Sequence, residues 1–110
     1  MSAKETMDII FQILERLEKA MDEEQFNWEK EISHEALDIS ETRWTLIIEM
    51  MEENNLIKGL NIDRGAKGDI SISIHSPRIR LQGLNFLIEN SQTAKVINAA
   101  KLLKDTVPGL

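Results

Sequence analysis

The chain has 110 residues, enough for one domain with a single core, and its 42% hydrophobic and 29% charged residues are those of an ordinary globular protein. It contains no cysteine, which excludes disulfides, thiolate metal sites and a catalytic thiol. The net charge of −6 is divided unevenly, with −10 on residues 1–57 and +4 on residues 58–110, so an anionic partner and a basic partner would meet different halves of the chain.

From about Ala3 to Met21, apolar residues recur at helical spacing. Met7, Ile10, Phe11, Leu14, Leu17 and Met21 make the stripe, widened by Ile9 and Ile13, while Glu15, Arg16, Glu18 and Lys19 fall largely on the wet side. This is the pattern of a helix facing a core. Glu5 and Asp8 interrupt what would otherwise resemble a signal peptide, and no apolar run is long enough to span a bilayer, so the expected location is the cytoplasm. Asp22 to Glu31 is acidic around Phe26 and Trp28. It lacks the Asp-x-Asp-x-Asp-Gly spacing of a calcium loop and reads as a connector whose aromatic residues pack on the core.

Ser33 is placed to cap a short helix through Leu37, and Ser40 to cap a longer one, because a serine hydroxyl accepts a free amide hydrogen of the first turn. Residues 33–54 thus read as two helices and a tight turn, a helix-turn-helix. In the longer helix Trp44, Ile47, Ile48 and Met51 form the buried face, and Glu41, Thr42, Arg43, Thr45, Glu49, Glu52 and Glu53 point mostly outward. Asn54 and Asn55 can end it, since asparagine tolerates the left-handed conformation found there.

Leu56–Ile62 and the alternating Ile70-Ser71-Ile72-Ser73-Ile74 read as strands, joined by a polar loop with glycines at 65 and 68. They make a wing hairpin over 56–74. Ser76-Pro77 is expected to end the second strand. A helix follows from about Leu81 to Glu89, with Leu84, Leu87 and Ile88 inward, and a last one after Ser91 carries Val96, Ile97, Ala100, Leu103 and Val107. That last helix is expected to dock on the core and also to contribute to a homodimer. The expected whole is a mainly α winged helix-turn-helix with a small antiparallel β wing and C-terminal helices over 81–107, in one domain over 1–110.

Four stretches resemble the YjcQ-like family of small bacterial and prophage proteins: Met21-Asp22-Glu23-Glu24-Gln25-Phe26, Ile39-Ser40-Glu41-Thr42-Arg43-Trp44, Leu56-Ile57-Lys58-Gly59, and Leu81-Gln82-Gly83-Leu84-Asn85-Phe86-Leu87-Ile88-Glu89-Asn90-Ser91. The resemblance implies a winged helix-turn-helix and a phage or mobile-element setting, and no established activity. The chain departs from the family-like Ile-Thr-Leu-Lys-Gly pattern with Ile79-Arg80-Leu81-Gln82-Gly83, replacing a capping threonine by arginine.

Motifs of catalysis are missing from the sequence. His34-Glu35-Ala36-Leu37-Asp38 starts like a zinc-protease motif but has aspartate in place of the second histidine, with His75 as the other histidine of the chain. No serine-nucleophile elbow, phosphate loop or dinucleotide turn occurs, and Gly65-Ala66-Lys67-Gly68 reads as a hairpin turn in preference to the loop of a KH domain. The expectation is a protein without catalytic activity, cofactor or metal. Two functions remain. One is a DNA-binding regulator contacting double-stranded DNA through a basic wing, using Arg43, Lys58, Arg64, Lys67, Arg78 and Arg80. The other is a protein-interaction module using the acidic helix-turn-helix half, whose four outward glutamates on the longer helix repel phosphate.

Overall fold

A computed structural model describes residues 1–90. Its elements in order are α1 (Ala3–Lys19), a 3-10 turn (Ala20–Asp22), α2 (Trp28–Glu31), α3 (Glu41–Glu53), β1 (Ile57–Arg64), β2 (Ile70–Ile79) and α4 (Leu81–Asn90). The architecture is mainly helical with one two-stranded antiparallel hairpin, as the hydrophobic periodicities predict. The last predicted helix, with Ser91, Val96, Ile97, Ala100, Leu103 and Val107, lies outside the described residues.

Helix α1 begins on a capping box: the Ser2 hydroxyl accepts from the Glu5 amide and the Glu5 carboxylate accepts from the Ser2 amide. Its buried residues are Ile9, Ile10, Ile13, Leu14 and Leu17, with Ile13 and Leu14 wholly inaccessible. The stripe is therefore rotated from the predicted one. Met7 and Met21 are exposed, because α1 turns its Ile9–Ile13 side to the core and leaves its two ends uncovered.

The connector folds back along α1. Asn27 caps the single turn α2, Trp28 stacks on Trp44 at 6.2 Å between ring centres, and the Trp44 indole N–H donates to the Ile32 carbonyl at 2.8 Å. The short helix expected from Ser33 to Leu37 is replaced by isolated hydrogen-bonded turns, and the α-helix preceding α3 is α2. The Ser33 hydroxyl does accept from the Ala36 amide, but it also donates to the Glu29 carbonyl at 2.6 Å, and Asp38 adopts φ +55°, which stops the winding after one turn.

Helix α3 starts on Ser40, whose hydroxyl accepts from the Arg43 amide, and buries Trp44, Ile47, Ile48 and Met51 as predicted. Its C-terminus is a Schellman motif: the Leu56 amide donates to the Met51 carbonyl and the Asn55 amide to the Glu52 carbonyl, with Asn55 at φ +60°. Leu56 and Met51, both buried, supply the apolar contact that accompanies this motif.

The hairpin pairs Leu60 with Ile74 and Ile62 with Ile72, and of this ladder Leu60, Ile72 and Ile74 pack on the core. Pro77 does not end β2, which continues to Ile79. The register shifts between Lys58 and Leu60, and Pro77, with no amide hydrogen to donate, lies in the resulting bulge opposite Gly59. Gly59 is at φ +87°, and a Cβ there would lie 1.8 Å from the Ser76 carbonyl oxygen. Immediately after Arg80, α4 begins: the Arg80 amide donates to the Leu56 carbonyl and its carbonyl accepts from Leu84, so Arg80 stands at the N-cap position without a threonine. Leu87 is buried and Phe86 packs on Phe11 at 5.7 Å, whereas Ile88, expected inside, is exposed.

Among the described residues, the two glycines with positive φ separate backbone strain from steric overlap. Gly68 is at φ +85°, and among the described residues nothing comes within 4 Å of where its Cβ would lie, so Gly68→Ala should lose about 1 kcal/mol of stability. Gly59→Ala adds collision with the Ser76 backbone and should lose roughly 3 kcal/mol or more, measured by urea denaturation of both variants.

Candidate functional site

The outward face of α3 meets the hairpin tip. Glu41, Thr42, Thr45 and Leu46 from the helix and Gly68, Asp69 and Ile70 from the hairpin line a shallow cleft of about 360 Å³. Leu46 stands out on this face at 48% exposure, and Glu41 and Asp69 line the same cleft. One turn along α3, Glu49 and Glu53 reach across to the wing: the Arg64 guanidinium contacts Glu49 at 2.9 Å and Glu53 at 3.1 Å. Arg64 thus ties β1 to the acidic side of α3 and spends its charge there.

The six basic residues expected to contact nucleic acid do not form one surface. Arg43 donates to the Thr6 hydroxyl at 2.9 Å and is held against α1. Arg64 is paired with the two glutamates. Lys67 is exposed in the hairpin loop. Lys58 and Arg78 are direct cross-strand partners at the opposite end of the hairpin, with Arg80 exposed just beyond. Lys58 and Arg64 are six positions apart along β1, about 20 Å. The basal pair borders a cleft of about 350 Å³ that also receives His75 and, from the connector, Glu23 and Glu24, so its field is of mixed sign.

Sequence reasoning placed Arg16 on the wet side of α1, where it turns out to be a clamp. Its Nε and Nη2 donate to the two oxygens of Glu31 at 2.7 and 2.6 Å, Nη2 also meets Glu23 at 3.0 Å, and the guanidinium lies 4.8 Å from the centre of the Phe26 ring. The hydrogen bonds to Glu23 and Glu31 raise the Arg16 pKa. No local pattern joins residues so far apart in the chain. The Ser2-x-x-Glu5 box, by contrast, is a signature that the sequence displays openly.

His34 lies near Glu35 at 3.8 Å in the turn before α3, while His75 meets the Asn61 amide at 3.0 Å on the hairpin. Among the described residues no group of three or more metal-ligating side chains comes together, and no helix is long and apolar enough to cross a membrane.

Compared with known proteins, residues 11–106 match a family model described as YjcQ protein. No curated protein and no solved structure matches the chain.

The clamp and the capping box carry a pH dependence. The hydrogen bond from Arg16 holds the Glu23 carboxyl below its ordinary value of 4.5, and the hydrogen bond from the Ser2 backbone does the same for Glu5. A lowered folded-state pKa lends stability that is complete above the unfolded value and is lost as pH falls through the folded one. Urea midpoints should therefore lose these contributions progressively as pH falls below about 4.5. Arg16→Gln should remove the Glu23 share of that loss and Glu5→Gln, which takes away the titrating carboxyl itself, the Glu5 share, each seen as a shallower acid limb.

Proposed function

The chain belongs to the YjcQ family, and from that footing we propose that it is a non-catalytic winged-helix module of a phage or mobile element that binds a protein partner through the acidic face shared by α3 and the hairpin tip. The observation that carries this reading is the engagement of Arg64 by Glu49 and Glu53. A base-reading helix offers cations and amides to the major groove, with basic residues beside it for phosphate. Here the wing's arginine is turned onto the helix's own carboxylates. Leu46 and Ile70, sharing a cleft with Glu41 and Asp69, offer a small apolar contact with acidic neighbours, which suits a basic protein surface carrying an exposed apolar side chain.

Nucleic-acid contact through the hairpin is the second reading. It rests on the cross-strand pair Lys58 and Arg78 with Arg80 beside them and Lys67 at the tip. The alternation of exposed positions keeps these cations in solvent, but the glutamates of the connector share the basal cleft.

A labelled mixed-sequence duplex, titrated by fluorescence anisotropy at several salt concentrations, separates the two. The expected result is binding no tighter than the non-specific range, about 10⁻⁴–10⁻⁶ M at physiological salt. Tight duplex binding with a steep salt slope, abolished by Lys58→Glu with Arg78→Glu, would favour the second reading and overturn the first. In producing cells, a photoreactive residue in place of Leu46 should crosslink a discrete protein, and the same residue in place of exposed Gln25 should not. Equal yields at the two positions would also count against the protein-binding face.

A further inference from the structure

A second concave surface begins one turn further along α3, where Met50 follows Leu46. Helices α1, α3 and α4 enclose a groove of about 470 Å³ whose apolar lining comes from Met7, Ile10, Met50, Met51, Leu56 and Phe86. Met50 at 42% and Met7 at 37% exposure present flexible apolar side chains to it. Glu89 lies on its lip, one residue before the end of α4 at Asn90. Twenty residues of the chain follow from that point. The family match continues through residue 106, so most of this stretch belongs to the family's common unit and is not an appendage to it.

We infer that the groove is the docking site of residues 91–110 of the same chain. Three observations converge on this occupant. The segment enters at the lip of the groove, so its local concentration there is high whatever partners are present. Its sequence places Val96, Ile97, Ala100 and Leu103 on one helical stripe, the shape of ligand that an apolar groove between helices accepts. Its charge is also complementary: residues 91–110 carry three lysines against one aspartate, net +2, while residues 1–90 carry ten basic against eighteen acidic residues, net −8. The charged residue on the groove itself is an acid, Glu89. A docked C-terminal segment covers Met7 and Met50, the two exposed methionines of the groove.

The absence of cysteine and the placement of the methionines make the test direct. Asn98→Cys in the full chain, a position off the apolar stripe, carries a nitroxide label, and the methionine methyls are observed by carbon-edited NMR. Docking broadens the Met7 and Met50 methyls, while Met21, about 20 Å further along the axis of α1, stays sharp and recovers no intensity on reduction of the label. The same broadening vanishes with Leu103→Asp, with the buried Trp44 indole signal unchanged as the check that the core is folded. Uniform broadening or none at Met7 and Met50 overturns the assignment. So does broadening in a mixture where the nitroxide and the observed methyls are on different chains, because the occupant is then a second copy.

Discussion

The backbone of Leu56 is the joint on which this fold depends. Its amide closes the Schellman turn by donating to the Met51 carbonyl, and its carbonyl accepts from the Arg80 amide at the point where β2 gives way to α4. The end of α3, the start of β1 and the start of α4 are thereby held at one residue. The same carbonyl sets the identity of Gly83, where a Cβ would lie 2.3 Å from the Leu56 oxygen. Helix α4 can approach this closely only because it presents a glycine, and the side chain of Leu56 is buried among the same elements. A hydrogen-bonded joint of this kind is rigid, which explains how a two-stranded hairpin, marginal by itself, keeps a defined position against α3.

Arginine ion pairs and hydrogen bonds then decide what the rigid frame shows to a partner. Arg16 folds the connector onto α1 through Glu31 and Glu23, Arg43 joins α3 to α1 through Thr6, and Arg64 joins the hairpin to α3. Each pair at the surface contributes little to stability, since exposed charges are solvated and screened. Their effect on the surface is larger. Three arginines are engaged by neighbouring side chains, Arg64 while still half exposed, and the carboxylates of Glu41 and Asp69, outside these pairs, remain to shape the field of the α3 face.

Much of the fold was legible because it rests on local rules. The alternation at Ile70 to Ile74 announces a half-buried strand, Ser40 announces the start of α3, and the Asn54-Asn55 pair announces its end; each works through bonds between residues close in sequence. The turn after Ser33 obeyed the capping rule and still failed to become a helix, because the left-handed Asp38 and the bond from Ser33 to Glu29 competed with propagation. Pro77 misled in the opposite direction. A proline ends a regular strand, but Gly59 across the ladder allows a bulge that needs no amide from it.

The candidate surfaces were less legible than the elements that carry them. Sequence alone determined the residue types of each face: an acidic α3, a more basic hairpin half and an apolar inner stripe, since periodicity and charge are properties of the chain itself. Only the tertiary structure decided which of those charges are available. Arg64 finds Glu49 and Glu53 fifteen and eleven residues away, and Arg16 finds Glu31 fifteen residues away, through the crossing of elements that no spacing rule encodes. The groove between α1, α3 and α4 has the same origin, because its walls are three helices that become neighbours only when Leu56 and Gly83 bring α4 against the end of α3.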